Sequence, residues 1–364
     1  MGGKAISNKI LFVMLGKKDF HSGGYLFNFR MVEHLRSLGY CVKIVHYRTV
    51  PPDIPKKWFR ASRYVCSVAS EFDPDLIVVS KSYHFVPLLR IKNIFTSTQV
   101  LYLMHHMEWK DFGNKTRSIL YRTYVRWLLG MAEKVWTNSM SSAEELEKSG
   151  ISSRRIAVIY PGFNKPEVTL PNRNRGGRQV KFVSVGSIAH RKAQDVLVKA
   201  CSSMEEGSFS MEFVGSIDAD PAYTESILRS ISELGMEDYI TLTGMLDSDE
   251  LTEKLLEADV LVHPARWEAF GISVLEGMWL GLPVIASRVA ALPELVKDGE
   301  NGILVEAENV LGFREAMEYM VRKPERRREM GARSREIAAA MNDWNETEIE
   351  FARLVAEMLE VKDS

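Results

Sequence analysis

Cysteine is scarce. Cys41, Cys66 and Cys201 are too few and too scattered for a disulfide framework or a zinc site, which fits a reducing cytoplasm. No apolar run approaches the roughly 18 uninterrupted residues of a membrane-spanning helix. The opening MGGKAISNKILFVML lacks a long apolar region with a small-residue cleavage site, and reads as a first buried strand rather than a leader. There is no G-x-S-x-G elbow, no P-loop and no G-x-G-x-x-G fingerprint, so hydrolase, kinase and nicotinamide readings lack support. The absence of short repeats and low-complexity tracts excludes solenoids and propellers. Net charge is nearly absent at -1, but the balance hides two opposite halves. Residues 1–170 hold 25 Lys+Arg against 13 Asp+Glu, and residues 171–364 hold 22 against 35. Either the first half meets an anionic partner or the halves have drifted in charge. The basic residues and aromatics form no nucleic-acid-binding motif.

What is present is an alternation. A single core rarely grows past roughly 250–300 residues, so 364 residues predict two domains. KILFVML, CVKIVHY, FDPDLIVVS, QVLYLMHH, KVWTNS and RIAVIYPG read as strands separated by helical patterns, among them NFRMVEHLRSLGY ended by Gly39. PNRNRGGR, residues 171–178, has no apolar residue beyond its proline and reads as a linker. The alternation then restarts with VKFVSVGS, FSMEFVGS, ITLTGML, DVLVHPA and PVIAS, and ends on the amphipathic WNETEIEFARLVAEMLE. The expectation is α/β: a parallel-sheet domain over 1–170, a linker over 171–178, a second such domain over 179–343, and a helix over 344–364 that is free to cross back. Ligands of such sheets bind beyond the carboxyl ends of the strands.

The chemistry concentrates in HPARWEAFGISVLEGMWLGLPVIASRVAALPELVKDGENGILV. Glu268 and Glu276 have seven residues between them, with Gly271 in the loop and a helix from about Ser273. A loop that turns through glycine into a helix presents free N–H groups and a positive dipole end, which suits a diphosphate. Glu276 in the first turn suits a ribose diol, and Glu268 on the loop suits sugar hydroxyls, because ionised acceptors make the stronger hydrogen bonds. Asp218-Ala219-Asp220 could hold a divalent cation, but it precedes Pro221 and a helix and reads as an N-cap.

This run resembles the retaining glycosyltransferases of family four (glycosyl transferases group 1), whose signature is two glutamates separated by seven residues. The likeness continues through Gly281-Leu282-Pro283, Leu292-Pro293-Glu294 and Asn301-Gly302, with Ala290-Ala291 where such proteins often have two glycines. The resemblance implies a GT-B fold, two Rossmann-like doubly wound domains facing a central cleft, with the nucleotide-sugar donor on the second domain. In FVSVGSIAHRKAQDVLVKA it implies a basic pair on the leaving diphosphate. Ser187 follows Gly186 where the family has arginine, Lys192 stands at the family lysine, and Ala193 replaces a glycine. Arg191 either compensates for the absent arginine or points to solvent.

The resemblance further implies donor contacts at Gly23 and Gly24 in the loop after the first strand, and at Gly186, Ser187, Phe270, Gly271, Ile272 and Val274. It implies base recognition, largely through backbone, at Val214, Gly215, Thr243, Gly244 and Met245. A histidine at the end of the fourth strand faces donor and acceptor. The His-x-x-Glu pattern favours His105 over His106, and strand alternation lets only one face the site; His106 and Glu108 stand on the acceptor side. No metal and no cofactor are expected, a UDP- or GDP-sugar being the co-substrate. The expected activity is sugar transfer with retention to a glycan, lipid or lipid-linked acceptor.

Two rivals stay open: a sugar-nucleotide epimerase of the same fold, and a non-catalytic sugar-nucleotide-binding protein. A basic, aromatic-bearing stretch, KTRSILYRTYVRWLLG, either packs its apolar side on the first sheet or lies in an anionic headgroup layer at the inner face of the membrane.

Overall fold

The computed structural model describes residues 8–15, 23–47, 55–80, 98–105, 119, 123, 125–127, 129–171 and 179–363. They divide into two units, one of residues 1–161 with 344–364 and one of residues 162–343.

The first unit is built on a parallel sheet in the order β2-β1-β3-β4-β5-β6. The strands are β1 (Lys9–Leu15), β2 (Cys41–Tyr47), β3 (Leu76–Ser80), β4 (Gln99–Met104), β5 (Lys134–Thr137) and β6 (Ile156–Val158). Ile10 to Met14, Leu76 to Val78 and Val100 to Met104 are buried as continuous runs, the mark of strands covered on both faces. The helix Gly23–Ser37 lays Phe27, Met31, Val32 and Leu35 on the sheet. The helix Trp344–Asp363 belongs to this unit. Phe351 is fully buried edge-on to Phe27, Glu348 pairs with Arg30 at 3.0 Å, and Thr347 Oγ1 donates to Tyr160 O.

The second unit repeats the plan with the order β12-β11-β10-β7-β8-β9, from β7 (Val180–Val185), β8 (Phe209–Val214), β9 (Ile240–Gly244), β10 (Val260–His263), β11 (Val284–Ser287) and β12 (Gly302–Val305). The chain runs outward from β7 through β8 and β9, then returns to the other side of β7 at β10. The crevice between β7 and β10 is therefore the switch point where open α/β sheets bind ligands.

The units divide at Pro161, ahead of the composition change at 171. Residues 162–170 pack on the second unit because they bury apolar groups there. Phe163 is 1% exposed and bridges to Asp343, and Trp279 Nε1 donates to Pro166 O. Residues 172–178 of the expected linker lie outside the described residues. Among the described residues, no helix is long and apolar enough to cross a membrane.

Candidate active site

Two loops meet at the switch point. The loop after β7 begins at Gly186, whose φ of 150° favours glycine, and a Cβ there would lie 3.0 Å from Lys192 Cε. Gly215, after β8, is required more strongly: a Cβ would stand 2.2 Å from Gly186 O. Gly186 N–H donates to Val214 O, Ile188 N–H to Ser216 O and Gly215 N–H to Gly244 O, so the loops after β7, β8 and β9 are stitched together. The single 3-10 turn His190–Lys192 then ends at Ala193, which adopts φ 57°, ψ 38°. The glycine that the family shows there is thus explained by a left-handed backbone, which alanine adopts at a cost of about 1 kcal/mol.

The loop after β10 brings Glu268 into this turn. Its Oε2 accepts from Lys192 Nζ at 2.5 Å, from His263 Nε2 at 3.0 Å and from Arg191 Nη1 at 3.4 Å. Arg191 Nη1 also donates to Trp267 O at 2.9 Å. Of the two readings of Arg191, the guanidinium is turned to Glu268, although its side chain keeps 42% of its surface exposed. Lys192 and Glu268 are almost enclosed, with side chains 13% and 10% exposed.

Burial pushes the Glu268 carboxyl up, but Lys192, Arg191 and His263 outweigh it and hold the group well below its ordinary value. Burial pulls Lys192 down, against Glu268, and pulls His263 down with help from Lys192. The lowered His263 favours the neutral imidazole, whose Nε2–H donates to Glu268. Basic side chains gathered beside strand ends suit an anion.

The second helical feature lies just beyond. Gly271, at φ 104°, is the N-cap of the helix Ile272–Trp279 and offers no side-chain cap, which leaves first-turn N–H groups for an external acceptor. Glu276 sits in that helix, half-buried, and burial pushes its carboxyl up to about 7. Asp220 caps the helix Pro221–Glu233 by accepting from Tyr223 N–H, the role its position predicts.

The expected donor-side residues differ in exposure. The Val274 side chain is fully buried and its N–H donates to Gly271 O. The Val214 and Phe270 side chains are buried, at 3% and 2% exposed. Met245 is 61% exposed, while Thr243 Oγ1 is buried without a hydrogen-bond partner.

On the first unit, Gly23 and Gly24 open the helix Gly23–Ser37, so they form its first turn and not a free loop. Gly24 lies close to His105: a Cβ would stand 3.2 Å from its Cγ and Nδ1, a tight contact. His105 Nε2 donates to Asn28 Oδ1 at 2.9 Å, and Asn28 Nδ2 donates to Ser80 Oγ at 2.6 Å. The ring sits edge-on to Phe27 and Trp136. His106 and Glu108 lie outside the described residues. Sequence reasoning missed His263, although it ends a strand five residues before Glu268, and missed Arg266.

A family model described as Glycosyl transferases group 1 matches residues 170–337, and one described as Glycosyltransferase Family 4 matches residues 25–165. A D-inositol 3-phosphate glycosyltransferase of Thermobifida fusca is 28% identical over 236 residues, 60% of this chain and 54% of that protein. The chain spans little more than half the length of the curated relatives it matches. Among solved structures, sucrose-phosphate synthase of Thermosynechococcus elongatus has a TM-score of 0.82 at 20% identity, covering 97% of this chain and 100% of that one. Anabaena HepE in complex with UDP-glucose has a TM-score of 0.74 at 18% identity, covering 96% and 99%. At these identities the likeness is one of fold, the GT-B arrangement of two Rossmann-like domains.

Proposed function

This chain belongs to the glycosyl transferases group 1, and on that premise we propose that it moves a sugar from a nucleoside-diphosphate donor to an acceptor hydroxyl, with retention of anomeric configuration and without a metal. The observation that carries the reading is the cluster of Lys192, Arg191, His263 and Glu268 at the β7/β10 switch point, beside the uncapped helix at Gly271. UDP-glucose bound to Anabaena HepE supports a nucleoside-diphosphate hexose as donor class.

The hard step is departure of the diphosphate from an oxocarbenium-like sugar carbon. In the proposed step the bond from that carbon to the diphosphate oxygen breaks, and a bond to the acceptor oxygen forms on the same face. The acceptor's proton passes to the departing phosphate oxygen. Charge held in place before the reaction is the largest lever on such a step. Lys192 and Arg191 supply it, and the helix dipole adds roughly half a charge. Glu268, anchored through Oε2 by three donors, orients sugar hydroxyls; Glu276 takes the ribose diol. Backbone of Gly186, Ser187, Gly271 and Ile272 approaches the phosphates, and the base lies against Gly215, Gly244 and Met245. His105, fixed through Asn28, is assigned to the acceptor hydroxyl. The first-turn N–H groups of Gly23 and Gly24 are offered to an anion.

A glycan, a lipid or a lipid-linked sugar is the proposed acceptor, and the inner face of the cytoplasmic membrane the proposed place of work. Among the described residues of the basic stretch after residue 115, Val125 and Leu129 are buried while Ile119 and Trp127 are 64% and 50% exposed. An exposed tryptophan in a basic sequence suits a headgroup layer.

A thermal-shift screen of nucleoside diphosphates and their sugar conjugates tests the reading. The matching compound at 100-fold its Kd adds about 2.7 kcal/mol to stability. Anomeric protons of the product by NMR then report retention. No shift with any of them at millimolar concentration would refute the proposal.

A further inference from the structure

We infer that Arg266 is a positioning residue that keeps the two ligand-bearing loops of the second unit in register, so that Arg191 and Lys192 meet Glu268. This rests on the transferase reading above and adds a residue that acts through the others.

Arg266 stands two residues before Glu268 and reaches across at four points to the opposite loop and to the helix that follows it. Its backbone N–H donates to Arg191 O at 2.9 Å. Nη1 donates to His190 O at 2.6 Å and to Asp195 Oδ1 at 3.0 Å, and Nη2 donates to Asp195 Oδ2 at 2.8 Å. On its other edge, Nε donates to Glu308 Oε1 at 2.9 Å. Four of the five guanidinium protons are thereby used. The Asp195 carboxylate is held from a further side by the Tyr223 hydroxyl, which also accepts from Asp195 N–H. Asp195 opens the helix Gln194–Cys201, directly after the turn that carries Arg191 and Lys192.

The geometry makes the role specific to arginine. A forked, planar group can join a carboxylate and a carbonyl of one loop while its own backbone pins a second carbonyl of that loop. A lysine ammonium offers a single point charge. The side chain is 18% exposed and Asp195 24%, so the pair is screened less than a surface ion pair. The turn ends on the left-handed Ala193, a strained conformation that the Arg266 contacts to His190 O and Arg191 O help to hold.

Two measurements test the inference. The first is acetylation of the folded protein with mass-spectrometric mapping, which needs no turnover. Lys192 should react slowly in the wild type and at least fivefold faster in Arg266→Ala, with the exposed Lys323 unchanged in both. Asp195→Asn, which keeps the shape, should give an intermediate rate should Arg266→Ala fail to fold.

The second is turnover of a sugar nucleotide found by the thermal-shift screen. Arg266→Ala should lower kcat about 10- to 100-fold, Arg266→Lys should not rescue it, and in a Lys192→Ala background the further loss should fall below threefold, since groups acting as a unit are not additive. Unchanged Lys192 acetylation, or an equal fold-loss in both backgrounds, overturns the inference. A wild-type protein that turns over no sugar nucleotide overturns the transferase reading instead, and leaves the acetylation contrast standing.

Discussion

Lys192 Nζ donates to Glu268 Oε2 at 2.5 Å across 76 residues of sequence. The same oxygen takes the His263 and Arg191 hydrogen bonds, so one carboxylate oxygen holds the basic pair. On the proposed reading, Glu268 provides in the empty site the negative charge that a diphosphate would provide during the reaction. The cations would then be aimed before the substrate arrives, which spares reorganisation at the moment of bond breaking.

Lys192→Ala should lower turnover at saturating donor about 100- to 1,000-fold, the usual loss for one preorganised electrostatic donor. Arg191→Ala should cost less, because its side chain is 42% exposed against 13% for Lys192. Steady-state kinetics on both variants decides. Wild-type kcat in Lys192→Ala would remove the leaving-group role.

The two glutamates should separate. Glu268→Ala leaves Lys192 enclosed without its counter-ion and should destabilise the protein by about 3 kcal/mol, read by urea unfolding. Its affinity for the free nucleoside diphosphate should be kept or tightened while use of the intact sugar donor falls. Glu276→Ala should weaken the free diphosphate itself, by calorimetry. Equal affinity losses in both variants would sink this division.

Protonation of Glu276 gives effects of opposite sign. Its carboxyl is raised from 4.5 to about 7 in the folded protein, so folding favours the protonated form. Stability from this group is greatest below the unfolded value and is lost as pH rises from 4.5 towards about 7. Donor binding, on the proposed use of the carboxylate for the ribose, should instead tighten as pH rises to about 7 and level off above it. An intact sugar nucleotide is the right probe, since its diphosphate does not titrate there. The dependence should vanish in Glu276→Gln; a flat wild-type profile between about pH 6 and 8 would contradict it.

Ala290 adopts φ 43°, in the left-handed region, at the position where related proteins often carry glycine. Ala290→Gly should therefore raise stability, by up to about 1 kcal/mol, because relief of strain exceeds the added entropy of the unfolded chain. A lowered melting temperature would show that the methyl group is worth more than the strain.

The basic stretch should bring the protein down with anionic vesicles at low salt and release it at high salt, as the Debye length falls from about 30 Å at 0.01 M to about 3 Å at 1 M. Trp127→Ala should weaken the sedimentation. No binding to vesicles at low salt would favour a soluble acceptor.

Strand and helix identities were legible from the chain alone, since KILFVML and CVKIVHY are β1 and β2 end to end. Buried parallel strands need apolar runs whatever their neighbours are, so local composition determines them. The spacing of Glu268 and Glu276 was legible for a similar reason, being set by one loop and one helix. Helix starts were less so: Gly23 and Gly24 read as loop, yet they open a helix. Only the tertiary structure decided what the charged residues do. The return of β10 to the side of β7 opposite β8 brings His263, Arg266 and Glu268 against Arg191, Lys192 and Asp195. Sequence spacing carries no trace of that meeting, because it is made by sheet topology. The depressed Glu268 carboxyl follows from it, because Lys192, Arg191 and His263 come to surround that group; the raised Glu276 carboxyl follows from desolvation.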